Sequence, residues 1–191
     1  MRYSKTRGRL RSKARSMTRT TDRVAVVGVG GLGHLAVQYL AKWGCDVTAV
    51  STSRDKEEQA RDLGAAHFIA TRGTDELRRA ARSFDFIFCT VSGDLPWDEY
   101  VAALRPQGKL CLIDLPSKPL VVGAFGLILG ERSIVGGQTG SVGDTTEMLA
   151  FTARHGIKPI IETFAMAEPI AHWNTPGRVK PDSVSFWWRD G

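Results

Sequence analysis

The 191-residue chain contains only three cysteines, Cys45, Cys89 and Cys111. They are odd in number and none is paired at CxxC spacing, so neither a disulfide framework nor a cysteine-based metal site is expected. No run approaches the roughly 20 apolar residues that cross a bilayer, which excludes a membrane-spanning helix. A basic start followed by an apolar core is also missing, so a reducing, cytoplasmic setting is the expectation. Acid is absent from residues 1–20, which carry Arg2, Lys5, Arg7, Arg9, Arg11, Lys13, Arg15 and Arg19. The net charge of +6 is therefore local: beyond this arm, 18 Lys/Arg face 20 Asp/Glu. A basic composition confined to one end does not make the whole chain a nucleic-acid binder.

The arm (1–21) has few apolar residues and is expected to be disordered in isolation, since it cannot bury enough surface to offset ordering. It is open to phosphate contacts with nucleic acid, to a role as a targeting segment, and to an acidic partner. A solvated extension, or a misplaced start of the reading frame, is the plainer reading and makes nucleic acid an unlikely partner. Residues 171–191 hold Pro176, Pro181, Trp173, Trp187 and Trp188 without helical or strand period, and are expected to form an irregular tail.

Residues 22–170 alternate between apolar strands and amphipathic helices. Val24–Val29, Val47–Val50, His67–Ala70, Phe84–Thr90 and Leu110–Ile113 are short and apolar nearly throughout, as parallel strands covered on both faces are. Leu32, Leu35, Ala36, Tyr39, Leu40 and Trp43 lie on one helical face, and Gly44 follows as a stop. Further helices are expected from Ser53, as cap, through Leu63, over Trp97–Leu104 and over Thr145–His155. This alternation predicts an α/β fold with a doubly wound parallel sheet of the Rossmann type.

The first strand runs into Gly28, Val29, Gly30, Gly31, Leu32 and Gly33, and a helix opens at once. A GxGxxG in this strand–turn–helix setting is a dinucleotide fingerprint: Gly28 permits the turn, Gly30 lets a pyrophosphate approach the backbone, and Gly33 lets helix pack on strand. At the end of the second strand an NAD site usually carries a carboxylate for the ribose hydroxyls. This chain has Ser51, Thr52, Ser53, Arg54, Asp55 and Lys56 there, hydroxyls and cations that suit a 2′-phosphate, so NADP(H) is the expected cofactor. A methyltransferase would also want an acid at that strand end. Among the histidines, His34 follows the glycine turn within reach of a phosphate, but the favoured reading puts it on the surface of the first helical turn. Neither it nor His67, His155 or His172 is near a cysteine pair, so no catalytic or metal-binding residue is assigned.

The series GVGGLGHLAVQYLAK, VTAVSTS, LGAAHFI, FDFIFCTVS, LRPQGKL and GGQTGS resembles the cofactor domain of zinc-dependent medium-chain alcohol dehydrogenases. Within that family it is most similar to the branch of cinnamyl alcohol dehydrogenases and NADP-dependent aldehyde reductases. The resemblance implies hydride transfer between NADP(H) and a primary alcohol or aldehyde in the complete enzyme, and a homodimer formed through this domain. It places Thr90 along the cofactor ribose, position 114 beside the nicotinamide, and Gly137, Gln138 and Thr139 at the carboxamide. The family's usual glycine is replaced by Asp114, which either crowds the ring, favours its oxidised form, or points into solvent.

The family's catalytic half, with its zinc ligands, is not found in this sequence, so the chain alone is expected to be inactive. Both unmatched ends fit a truncated gene or out-of-frame translation. A non-catalytic dinucleotide-binding or sensor module is the alternative, and nucleic-acid binding through the arm ranks below it.

Overall fold

The computed structural model describes residues 18–137, 140–165 and 184–188. Six parallel strands form its main sheet: β1 (Arg23–Val27), β2 (Asp46–Ser51), β3 (His67–Ala70), β4 (Phe84–Cys89), β5 (Leu104–Leu112) and β6 (Ser133–Gly136), in the order β3-β2-β1-β4-β5-β6. The helices between them are α1 (Gly33–Trp43), α2 (Glu57–Asp62), α3 (Glu76–Arg79), α4 (Trp97–Ala103), α5 (Ala124–Gly130) and α6 (Val142–His155). The expected doubly wound sheet is thus present. In and around this sheet the elements the sequence did not announce are α3, α5 and β6.

The core divides along the pleat. Alternate residues of a strand point to opposite faces, so Val24 and Val26 lie on one side of β1, and Ala25 and Val27 on the other. The first face, with Phe86, Phe88 and Cys111, packs beneath Leu35, Tyr39 and Leu40 of α1 and Met148 of α6. The second, with Val50, Ile87 and Leu110, packs against Leu77 of α3 and Trp97 and Tyr100 of α4. Apolar side chains on both sides of each central strand explain why those strands read as continuous apolar runs. Aromatic contacts fasten α6 to α1: Phe151 lies 6.1 Å from Tyr39 and 5.7 Å from Trp43, centroid to centroid.

Three differences from the sequence expectation have local causes. The helix expected from Ser53 divides into a 3-10 turn, Arg54–Lys56, followed by α2. Ser53 precedes that turn without capping it, because its hydroxyl donates to the Asp55 carboxylate. Leu104 leaves the helix with extended backbone and begins β5. In the region expected to be irregular, Val184–Trp188 forms a strand, β8, pairing in parallel with β7 (Ile161–Ala165). Residues 1–17 of the arm, 166–170 of the domain, and 171–183 and 189–191 of the tail lie outside the described residues. Among the described residues no helix is long and apolar enough to cross a membrane.

Two outcomes follow from this packing. Phe88 is 1% exposed and its ring lies 4.5 Å from that of Phe86. Phe88→Ala is expected to cost about 3–5 kcal/mol, read from urea unfolding; a loss below about 1 kcal/mol would show that this face is not packed as described. Cys89 and Cys111 are buried, and burial raises the Cys89 thiol above its ordinary value. Cys45 is half-buried and donates to the Arg19 carbonyl, and its pKa is pushed from 9.0 up to about 11, chiefly by desolvation. A higher pKa means less thiolate, about a hundredfold less at pH 8 for this shift. Iodoacetamide at pH 8 should therefore modify the native chain far more slowly than the urea-unfolded one, and labelling of Cys45 at the rate of a free thiol would contradict the burial.

Candidate functional site

The carboxyl ends of the strands lie along one edge of the sheet. Val27 is in register with Val50 and with Cys89, Cys89 with Leu112, and Leu112 with Gly136. Chain order reverses between β1 and β4, where connections leave towards opposite faces and open a crevice at that edge. The glycine-rich turn occupies this point.

Its geometry depends on missing side chains. Gly28 has φ +91°, and a Cβ there would come within 2.4 Å of Val91 Cγ1. A Cβ on Gly33 would lie 1.6 Å from the Gly28 carbonyl oxygen. The first turn of α1 is therefore seated directly on the end of β1. The Gly28 N–H donates to the Val50 carbonyl at 2.8 Å, which ties the turn to β2. Leu32 stands at the N-cap with no side-chain cap, and the first turn of α1 contains no acid. Such a terminus presents main-chain N–H groups and positive dipole to an anion. Val29, Gly30 and Gly31 complete the loop between strand and helix.

The expected 2′-phosphate region lies at the end of β2. Ser51 is half-buried, and its carbonyl accepts from the Thr71 N–H at 2.9 Å and the Thr71 hydroxyl at 3.3 Å. Thr52 is exposed, and its carbonyl accepts from the Arg72 N–H at 3.0 Å. Arg54 is exposed and bonds to two carboxylates: Glu57 at 2.9 Å and Glu76 from α3. Its pKa is raised, by Glu57 first and then by Glu76. Glu57 is lowered in turn, by Arg61 first and Arg54 second. Lys56 is half-buried on the same turn.

Glu76 is the residue that sequence reasoning missed. Its other oxygen accepts the Ala70 N–H at 3.0 Å, so a carboxylate reaches this region from the start of α3 rather than from the end of β2. Linear spacing from the glycine turn gives no sign of it.

Beside the glycine turn, on the neighbouring strand, Thr90 follows β4. Its hydroxyl hydrogen is shared between the carbonyls of Val27 and Gly28, at 2.9 and 3.2 Å. Thr90 thus braces the glycine turn with the group expected to line the ribose. Asp114 is exposed, and its carboxylate accepts the N–H of Leu115 at 2.9 Å, which favours the solvent-facing alternative for this side chain. The Gly137 N–H donates to the Leu112 carbonyl at 2.8 Å, and a Cβ there would be 2.7 Å from Ile113 Cδ1. Gln138 and Thr139 lie outside the described residues.

His34 corrects the sequence reading outright. Expected on the surface, it is fully buried. Nδ1 donates to the Gly30 carbonyl at 2.9 Å, and Nε2 accepts the Ile160 N–H at 3.1 Å. What hides it is a segment more than a hundred residues downstream. His67 begins β3 beside Asp46, and His155 ends α6 against Phe151. Among the described residues no three His, Cys, Asp or Glu side chains are grouped to hold a metal ion.

Known proteins match this arrangement. Residues 31–154 match the zinc-binding dehydrogenase family. The chain is 41% identical over 155 residues to an aldehyde reductase from Synechocystis, covering 80% of this chain and 46% of that protein. It is 42% identical over 140 residues to an NADP-dependent alcohol dehydrogenase from Mycobacterium bovis, covering 73% of this chain and 40% of that one. It thus spans less than half the length of these relatives. A cinnamyl alcohol dehydrogenase structure from Sorghum bicolor superimposes with a TM-score of 0.81 at 31% identity, over 87% of this chain and 48% of that chain. With a family match over most of its length and the Rossmann sheet that its cofactor-binding part requires, the chain belongs to the zinc-binding dehydrogenase family.

Proposed function

We propose that this chain is the NADP(H)-binding domain of an alcohol dehydrogenase or aldehyde reductase. The observation that carries the proposal is the seating of Gly33 on the Gly28 carbonyl, which holds an uncapped helix terminus at the switch point of the sheet. A pyrophosphate matches the charge and donor pattern of that terminus. The choice of NADP(H) over NAD(H) is supported by the absence of a carboxylate at the end of β2 and by Arg54 and Lys56 beside it. It is supported too by the similarity to the mycobacterial NADP-dependent alcohol dehydrogenase. The Arg54 side chain is itself exposed, which leaves its guanidinium accessible to a phosphate.

In the whole enzyme the reaction proposed is hydride transfer between nicotinamide C4 and a primary alcohol or aldehyde. Zinc would supply Lewis-acid polarisation of the substrate oxygen there. The residues described here contribute binding and orientation of the cofactor. A second copy of the chain is proposed to pair at β6, the edge strand, beside the exposed side chains of Phe125, Ile128 and Leu129 on α5. A cytoplasmic location is part of the proposal.

Titration of NADPH fluorescence tests the binding. Saturation below millimolar cofactor is expected, without aldehyde reduction by the 191-residue chain; a flat response at millimolar NADPH, or zinc-dependent turnover, would overturn the corresponding half of the proposal. Replacing both Arg54 and Lys56 with Ala should weaken NADP+ at least tenfold, the scale of one charged hydrogen bond, while NAD+ changes by less than about threefold. Equal loss for both dinucleotides would place the 2′-phosphate elsewhere. In sedimentation velocity the chain should run as a dimer that Ile128→Asp dissociates, and a monomer at tens of micromolar would dismiss the pairing.

A further inference from the structure

We propose that His34 is a positioning residue for the dinucleotide: by holding the Gly30 carbonyl, its imidazole sets the direction of the Gly31 N–H that faces the pyrophosphate. The inference rests on the dinucleotide reading above and assigns a specific part of that site to a side chain buried behind it.

The Gly30 carbonyl accepts twice, from the His34 backbone N–H at 3.0 Å and from Nδ1 at 2.9 Å. In a planar trans peptide the carbonyl and the following N–H point in opposite directions. A carbonyl held down the axis of α1 therefore turns the Gly31 N–H outward, through the open end of the helix. Two successive glycines leave this peptide the widest conformational freedom of any pair, and no side chain caps the helix from the front. The imidazole restrains the turn from the back, where a ligand does not compete with it.

The ring is itself fixed. A carbonyl only accepts, so Nδ1 carries the hydrogen; the Ile160 N–H only donates, so Nε2 does not. One neutral tautomer satisfies both ends, and at 0% exposure no water substitutes for either partner. Gln38, one turn along α1, holds the same downstream segment. Its Nε2 donates to the Lys158 carbonyl at 2.9 Å, and its Oε1 accepts the Lys158 N–H at 3.3 Å. The phosphate turn is thereby anchored to residues 158–160.

Two substitutions separate the ends of the ring. His34→Asn places an amide donor near the position of Nδ1 and does not reach Ile160. His34→Gln places a polar group near the position of Nε2 and gives up the Gly30 bond. Affinities of the 191-residue chain are measured for NADP+, for 2′-phospho-ADP-ribose, and for 2′-AMP, which lacks the pyrophosphate and serves as a control for folding.

The expected result is that His34→Gln loses about tenfold for the two pyrophosphate-bearing probes, with 2′-AMP within twofold, while His34→Asn stays near the unaltered chain. Uniform loss across all three probes, unchanged binding in both variants, or loss in His34→Asn alone would overturn the assignment. Failure of the unaltered chain to bind NADP+ would instead overturn the dinucleotide reading, and this inference with it.

Discussion

The contact between Gly33 and the Gly28 carbonyl governs the site. A single added methyl would occupy the space of that oxygen, 1.6 Å away, so helix and strand meet at this distance only while both residues remain glycine. The seating brings the first turn of α1 to the end of β1, directs the helix dipole at the crevice, and leaves the adjoining N–H groups facing outward. Other bonds are arranged to keep it: Gly28 to Val50 in β2, Thr90 to two carbonyls of the turn, and His34 to Gly30. Three neighbouring segments converge on six residues, four of which are glycine, while Val29 and Leu32 turn into the core.

The glycine turn and the central strands were legible in the sequence because their causes are local. A parallel strand covered on both faces reads as an apolar run, and a turn that excludes Cβ atoms reads as glycine. β6 was not legible: Ser-Ile-Val-Gly is four half-buried or exposed residues at the sheet edge. α3 is a single turn, and α5 carries glycines and no amphipathic stripe. Short elements of this kind form where tertiary neighbours hold them, and intrinsic preference contributes little.

The site residues divide in the same way. Gly28, Gly33 and Ser51 lie where their local pattern placed them. His34 was misread because its burial is decided by Ile160, and the Glu76–Arg54 pair spans 22 residues between different connections. Thr90 was recognised as belonging to the site, but its hydroxyl faces the turn and braces it. Sequence spacing thus located the glycine turn and the strand ends more readily than the groups that shape them, since those arrive through contacts distant along the chain.

The bridge from His34 to Ile160 joins positions 126 residues apart. Closing so long a loop is entropically costly, and non-local contacts of this kind form late in folding. During synthesis β1, the glycine turn and α1 emerge early, yet the imidazole has no partner for Nε2 until the chain beyond α6 has left the ribosome. Completion of the glycine turn is in this way coupled to completion of the sheet, and a nascent chain halted before residue 160 holds the fingerprint in its sequence without the brace that shapes it.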